Sequence, residues 1–92
     1  MIDARDDSET MRRRYYRART TRALADAVQA VRAASGKSQT DLAELIGSSR
    51  PTISRMERGQ PIATDTVIDA LTACGYELVV VPRGSLVTVV PA

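Results

Sequence analysis

Six arginines stand between Thr10 and Arg22 with no acid among them, and three more, Arg50, Arg55 and Arg58, fall within nine residues farther along. A guanidinium forks onto phosphate oxygens and onto the acceptor edge of guanine, so Arg12, Arg13, Arg14, Arg17, Arg19 and Arg22 suggest contact with a polyanion. The competing reading of this run is a solvated arm that keeps the protein soluble. Twelve of the thirteen cations are arginine, yet the formal net charge is only +2, because Asp3, Asp6, Asp7 and Glu9 make the first nine residues acidic. The basicity is local.

Other chemistry is hard to assemble. The 92 residues include no histidine and one cysteine, which removes a histidine-based triad, a His-ligated metal site and an internal disulfide. No convergent nucleophile and base can be built, so neither an enzyme nor a bound cofactor or metal is expected. Cys74 falls in an apolar helical pattern and reads as core filler. No apolar run reaches membrane-spanning length and the acidic start is not a basic leader, so a cytoplasmic protein with no membrane partner is expected.

The positioning elements follow from periodicity. Residues 1–19 mix acids, arginines and Tyr15-Tyr16 without an apolar stripe, and read as a flexible arm or an irregular helical extension. From Thr21, Leu24, Val28 and Val31 recur at three- and four-residue steps, with Ala27 and Ala34 beside them, predicting a helix that ends by Gly36. Ser38 and Asp41 are spaced as a capping box for a short second helix with Leu42, Leu45 and Ile46 inward and Gly47 as its stop. Ser49 caps a third helix, Pro51 sits in its first turn where a missing N–H costs nothing, and Ile53 and Met56 are its buried side. A fourth is predicted over Thr64 to Cys74, capped by Thr64 or a neighbour, with Val67, Ile68, Leu71 and Cys74 inward and Gly75 just past its end.

Then the period changes. Tyr76 to Val81 and Leu86 to Val90 are apolar and rich in β-branched residues, and Pro82-Arg83-Gly84-Ser85 between them predicts a short β hairpin. The expected fold is mainly α: four or five helices with a short C-terminal β hairpin or strand. The chain divides into a basic arm (1–19), a helical domain (20–75) and a β segment (76–92).

Ser38 to Gly59, SQTDLAELIGSSRPTISRMERG, is the most informative stretch. Two short helices meet across one glycine, with Ala43 small enough for close approach, and the second is left with a polar outer face of Ser49, Arg50, Thr52, Ser54, Arg55 and Arg58. Gln39, Ala43, Gly47, Ile53 and Glu57-Arg58-Gly59 resemble signature positions of the lambda-type phage repressor and Cro family, the XRE-type helix-turn-helix regulators. The resemblance spans about Leu24 to Gly75 and implies a lambda-repressor-like fold that binds double-stranded DNA.

It also implies roles. The helix from about Ser49 to Arg58 would enter the major groove, with Ser49, Arg50, Pro51, Ser54 and Arg55 facing base edges. Arg50 is the first candidate for a forked contact to guanine and Arg55 the second. Pro51 replaces what is commonly a polar reader, leaving contact with a thymine methyl or none. Ser38, Gln39 and Arg58 would touch phosphates; Arg12, Arg13, Arg14, Arg17 and Arg19 of the arm, outside the resemblance, are expected there from their charge alone. Arg32 and Glu57 match positions that pair across the first and third helices.

One such helix reads few base pairs, so a homodimer on an inverted repeat is expected, with Leu78, Val79, Val80, Val81, Leu86, Val87 and Val89 as its seam. A helix-turn-helix followed by a β segment also resembles the HipB and HigA type of antitoxin, which implies a cognate toxin as a second partner. Three readings remain: a repressor acting alone, an antitoxin, and a protein-interaction module that no longer binds DNA.

Overall fold

The computed structural model describes residues 15–90, so Arg12, Arg13 and Arg14 lie outside the described residues. Four helices are found among the described residues: α1 (Thr21–Ala34), α2 (Gln39–Leu45), α3 (Arg50–Glu57) and α4 (Thr64–Ala73). Three begin on the side-chain oxygen of a residue in extended conformation. Thr20 accepts from the Ala23 amide, Ser38 from Asp41 and Ser49 from Thr52, each satisfying one of the donors a helix start leaves open. At α2 the box is complete, because the Asp41 carboxylate also accepts from the Ser38 amide at 3.0 Å. α4 differs from expectation. Its cap position is Ala63, which offers no side-chain bond, and Thr64 is already the first helical residue.

Both motif helices end alike. Gly47 and Gly59 have φ of 67° and 76°, a conformation that costs glycine nothing. The amides after them reach back to Ala43 and Arg55 at 2.8 and 3.1 Å, while the glycine amides close on Glu44 and Met56. These paired closures turn the chain sharply and place α3 against α2 within a four-residue connection.

α1 is packed by both α3 and α4, and α2 likewise. Val28, Val31, Leu42, Ala43, Ile53, Met56, Ala70 and Leu71 form the core, with Tyr16, Leu24, Ile46, Val67, Cys74 and Tyr76 against it. Leu42 and Ile53 are wholly enclosed, and burial of such a side chain is worth about 1.5–3 kcal/mol. Two expected core residues face outward: Leu45, at the last position of a seven-residue helix, is 60% exposed, and Ile68 is exposed while Ala70 takes the inward place. Ala34, at the end of α1, is exposed as well.

The predicted C-terminal β hairpin is corrected by the structure. The turn exists, since the Ser85 amide bonds the Pro82 carbonyl at 3.1 Å and Gly84 has φ 81°. No strand forms on either side of it among the described residues. A lone pair of strands is marginal without a surface to cover it, and here Val80 and Leu86 are 98% and 100% exposed. The segment is instead held at two points by residues far away in sequence. The Tyr16 and Tyr76 rings meet at a tilt of 53° with centroids 6.1 Å apart, and Arg17 Nη2 donates to the Ser85 carbonyl at 2.7 Å.

Candidate nucleic-acid interface

The arrangement of α3 follows from which side of it is apolar. Ile53, Met56 and Glu57 are buried, so Arg50, Pro51, Arg55 and Arg58 are exposed, with Ser54 half-buried among them. At 100° per residue, Arg50, Ser54, Arg58, Pro51 and Arg55 fall on one contiguous face. Every base-edge candidate except the cap Ser49 is therefore carried on a single outward surface, and Ser49 stands at its open N-terminal end.

Side-chain bonds order this face. Ser49 Oγ and Thr52 Oγ1 lie 2.9 Å apart, and Arg55 Nη2 donates to Thr52 Oγ1 at 3.3 Å, which lays the Arg55 guanidinium back along the first turn. Arg58 Nη1 donates to Ser54 Oγ, so a residue expected at phosphate and one expected at a base edge are joined. Arg50 and Arg19 carry no hydrogen bond or ion pair among the described residues, which leaves their donors open.

Behind the face is one buried charge. Glu57 is 5% exposed, and Arg32 of α1 meets it through two parallel bonds, Nε to Oε2 at 2.6 Å and Nη2 to Oε1 at 2.9 Å. Gln39 Nε2, at the start of α2, donates to the same Oε1 at 3.0 Å, and Arg32 Nη1 reaches the Lys37 carbonyl at 2.8 Å. Burial pushes the Glu57 carboxyl up, but the bonds from Arg32 and Gln39 and the Arg32 charge outweigh it and hold the group below its ordinary value. The same bond raises the Arg32 pKa against the cost of its own burial. The exposed Asp41 carboxyl is also lowered, chiefly by the Ser38 amide. This cluster ties α1, α2 and α3 together at one carboxylate and so sets the angle at which α3 is presented.

The remaining expected residues are scattered. Gln39 spends one amide hydrogen on Glu57 and Ser38 is occupied as a cap, while the Ser38 hydroxyl is exposed at the start of α2. Arg17 is engaged with Ser85 rather than free in an arm. Leu78, Val79, Val80, Val81, Leu86 and Val89 are exposed and Val87 is half-buried. Two residues bond differently from their sequence reading, which gives Thr52 only a place on the outer face and Arg22 a contact with a polyanion. Thr52 links Ser49 to Arg55, a role that its spacing of three from each would have suggested. Arg22 turns away from the basic run to bond α3, and only its i, i+4 partner Asp26 signals that orientation.

Among the described residues no helix is long and apolar enough to cross a membrane, and no group of three or more metal-ligating side chains gathers. Cys74 lies half-buried with Ser35 Oγ 3.5 Å from its sulfur.

A capped helix with an arginine-bearing outer face, set across a second short helix by a glycine turn, defines a DNA-binding regulator-like helix-turn-helix fold. The chain belongs to the helix-turn-helix family of XRE type, whose pattern it matches over residues 28–81, and this family is a DNA-binding rather than an enzymatic one. Among curated proteins, none matches its sequence. Among solved structures it is similar to the clp gene regulator ClgR from Corynebacterium glutamicum, with 28% identity, a TM-score of 0.58 and 62% of each chain covered. The chain thus spans 62% of the length of that regulator. It is similar in fold to HipB in a HipA-HipB-O2-O3 complex, with 24% identity, TM-score 0.68, and 75% of this chain and 99% of that one covered. A toxin-antitoxin module from Streptococcus pneumoniae is 30% identical, with TM-score 0.56 and coverage of 90% and 84%.

Proposed function

We propose that this protein is a sequence-specific transcriptional regulator, a repressor of its own operon, that binds an inverted-repeat operator as a homodimer. The observation that carries the reading is the outward face of α3. Arg50, Arg55 and Arg58 are exposed on it together, and the Arg32–Glu57 bridge fixes the helix from behind. Arg50 and Arg55 read bases, with Ser49, Ser54 and the carbon surface of Pro51 beside them. Ser38, Gln39 and Arg58 hold phosphates, and residues 1–19 add arginines to the backbone contact.

The half-site read by one helix is too short for specificity in a genome, so the reading needs two copies. Residues 76–92 supply the join in this proposal, because Leu78, Val79, Val80, Val81, Leu86 and Val89 of that segment are apolar and exposed, outside the core that Val28, Leu42, Ile53 and Leu71 build. The test is footprinting on the DNA just upstream of the gene. Protection of two half-sites about one helical turn apart, lost on a scrambled duplex and steeply salt-dependent, is the expected result. Equal binding to both duplexes would overturn it and leave a protein-interaction module.

The second reading is an antitoxin that also neutralises a toxin protein. Similarity over 90% of the chain to a toxin-antitoxin module favours it, as does the likeness in fold to HipB from a complex with HipA. A neighbouring reading frame whose product co-purifies with this chain and is inhibited by it would establish that role.

A further inference from the structure

The carboxyl end of α3 has more carbonyls than its own turn can satisfy. Ser54 and Arg55 accept from the Arg58 amide, Arg55 again from Gln60, and Met56 from Gly59. The last two, on Glu57 and Arg58, have no amide left to take. Both are met from α1: Arg22 Nη2 donates to the Glu57 carbonyl at 2.8 Å and Nη1 to the Arg58 carbonyl at 3.2 Å. Asp26, one turn along α1, holds Nε and Nη2 of the same guanidinium at 3.2 and 2.9 Å, which aims the fork. Gly59 lies within van der Waals reach, since a Cβ there would stand 3.7 Å from Arg22 Nη1 and 3.8 Å from Ala25 Cβ.

A cation at this place also matches the negative pole of α3. Within α1 the charge is badly located, in a first turn that holds no acid, where the helix dipole opposes it. Its placement makes sense across the interface between the helices.

We infer that Arg22 is a positioning residue for DNA reading: it pins the carboxyl end of α3 to α1 and so fixes the tilt at which the Arg50, Arg55 and Arg58 face is presented, without contacting phosphate itself. The inference rests on α3 being the reading helix. It divides the basic run by function, with Arg22 serving the fold as Arg17 does at Ser85, and Arg19 left for the polyanion.

The test compares Arg22→Gln, Arg22→Lys and the unaltered chain on a duplex the unaltered chain selects from a random pool, and on a scrambled version of it. Pinning predicts that both variants lose about tenfold on the selected duplex, with scrambled binding and salt slope unchanged, because lysine keeps the charge but not the fork. A phosphate contact predicts equal loss on both duplexes for Arg22→Gln, a slope shallower by about 0.9, and near-normal binding for Arg22→Lys. That pattern would overturn the inference. A measurement without DNA stands beside it: amide exchange at Gly59 and Gln60 should quicken about fivefold in Arg22→Gln, as expected when a local closure loosens. Unchanged exchange would also reject the pin, and a chain that selects no duplex defeats the DNA reading while the pin is still decided by its amides.

Discussion

Arg32 meets Glu57 through two parallel bonds of 2.6 and 2.9 Å, across 25 residues of sequence, and the carboxylate is almost entirely enclosed. Taking two charges out of water offsets much of their attraction, so the bridge sets orientation more than it adds net stability. Removing one partner is another matter. Arg32→Ala strands the Glu57 carboxylate and should cost about 3–5 kcal/mol in urea unfolding, with a strong coupling to Glu57→Ala in a double-mutant cycle. Additive effects would show that the pair acts as two separate charges.

The lowered Glu57 carboxyl gives the pH dependence a definite sign. Its folded value lies below the unfolded value of about 4.3, so the stability it confers is fully present above that value and drains away as pH falls through the folded one. Glu57→Gln should therefore differ most from the unaltered chain at neutral pH, with the gap closing below about pH 4. Urea midpoints measured from pH 7 to pH 3 check this, and a gap that stayed constant would contradict it.

Arg50 and Arg58 should separate as a reader and a holder. Arg50→Ala is expected to cost about 1–3 kcal/mol on the cognate duplex and to relax preference at one base pair. Arg58→Ala is expected to weaken every sequence alike and to reduce the salt slope by about 0.9. Competition binding against single-base variants of the site distinguishes the two, and a uniform loss for Arg50→Ala would remove it from base reading.

The tail gives a prediction about mass. Val80→Asp and Leu86→Asp alter side chains that touch almost nothing within the chain, so thermal unfolding at low concentration should barely move. If 76–92 joins two copies, the same changes should shift sedimentation from a dimer toward the 10.0 kDa single chain. An unaltered chain that already sediments as a monomer at micromolar concentration would take the role away from this segment.

What could be read in advance divides along a physical line. Ser38, Asp41, Gly47 and Ser49 act within four residues of their partners, so their spacing alone announces the helix ends around the turn. Arg17 and Arg22 reach partners 68 and 36 residues away, and no local pattern reports such a meeting. The resemblance to a known family supplied Arg32 and Glu57, which periodicity would not have paired. The β-branched run after Tyr76 states a propensity but says nothing about a second surface, and among the described residues no ladder forms there. Leu45 and Ile68 fail for a related reason: in a helix of two or three turns, several apolar residues compete for a narrow inward stripe, and neighbouring elements decide which ones enter.

The uncapped start of α4 offers a handle for engineering. Ala63 has φ −58° and ψ 139°, a non-helical backbone suited to a capping hydroxyl, and it is exposed. One added oxygen atom, Ala63→Ser, should raise unfolding free energy by about 1 kcal/mol, measured as a later denaturant midpoint with unchanged slope. Because the change falls outside α3, a hardier scaffold is attainable with every residue of the arginine face left as it was.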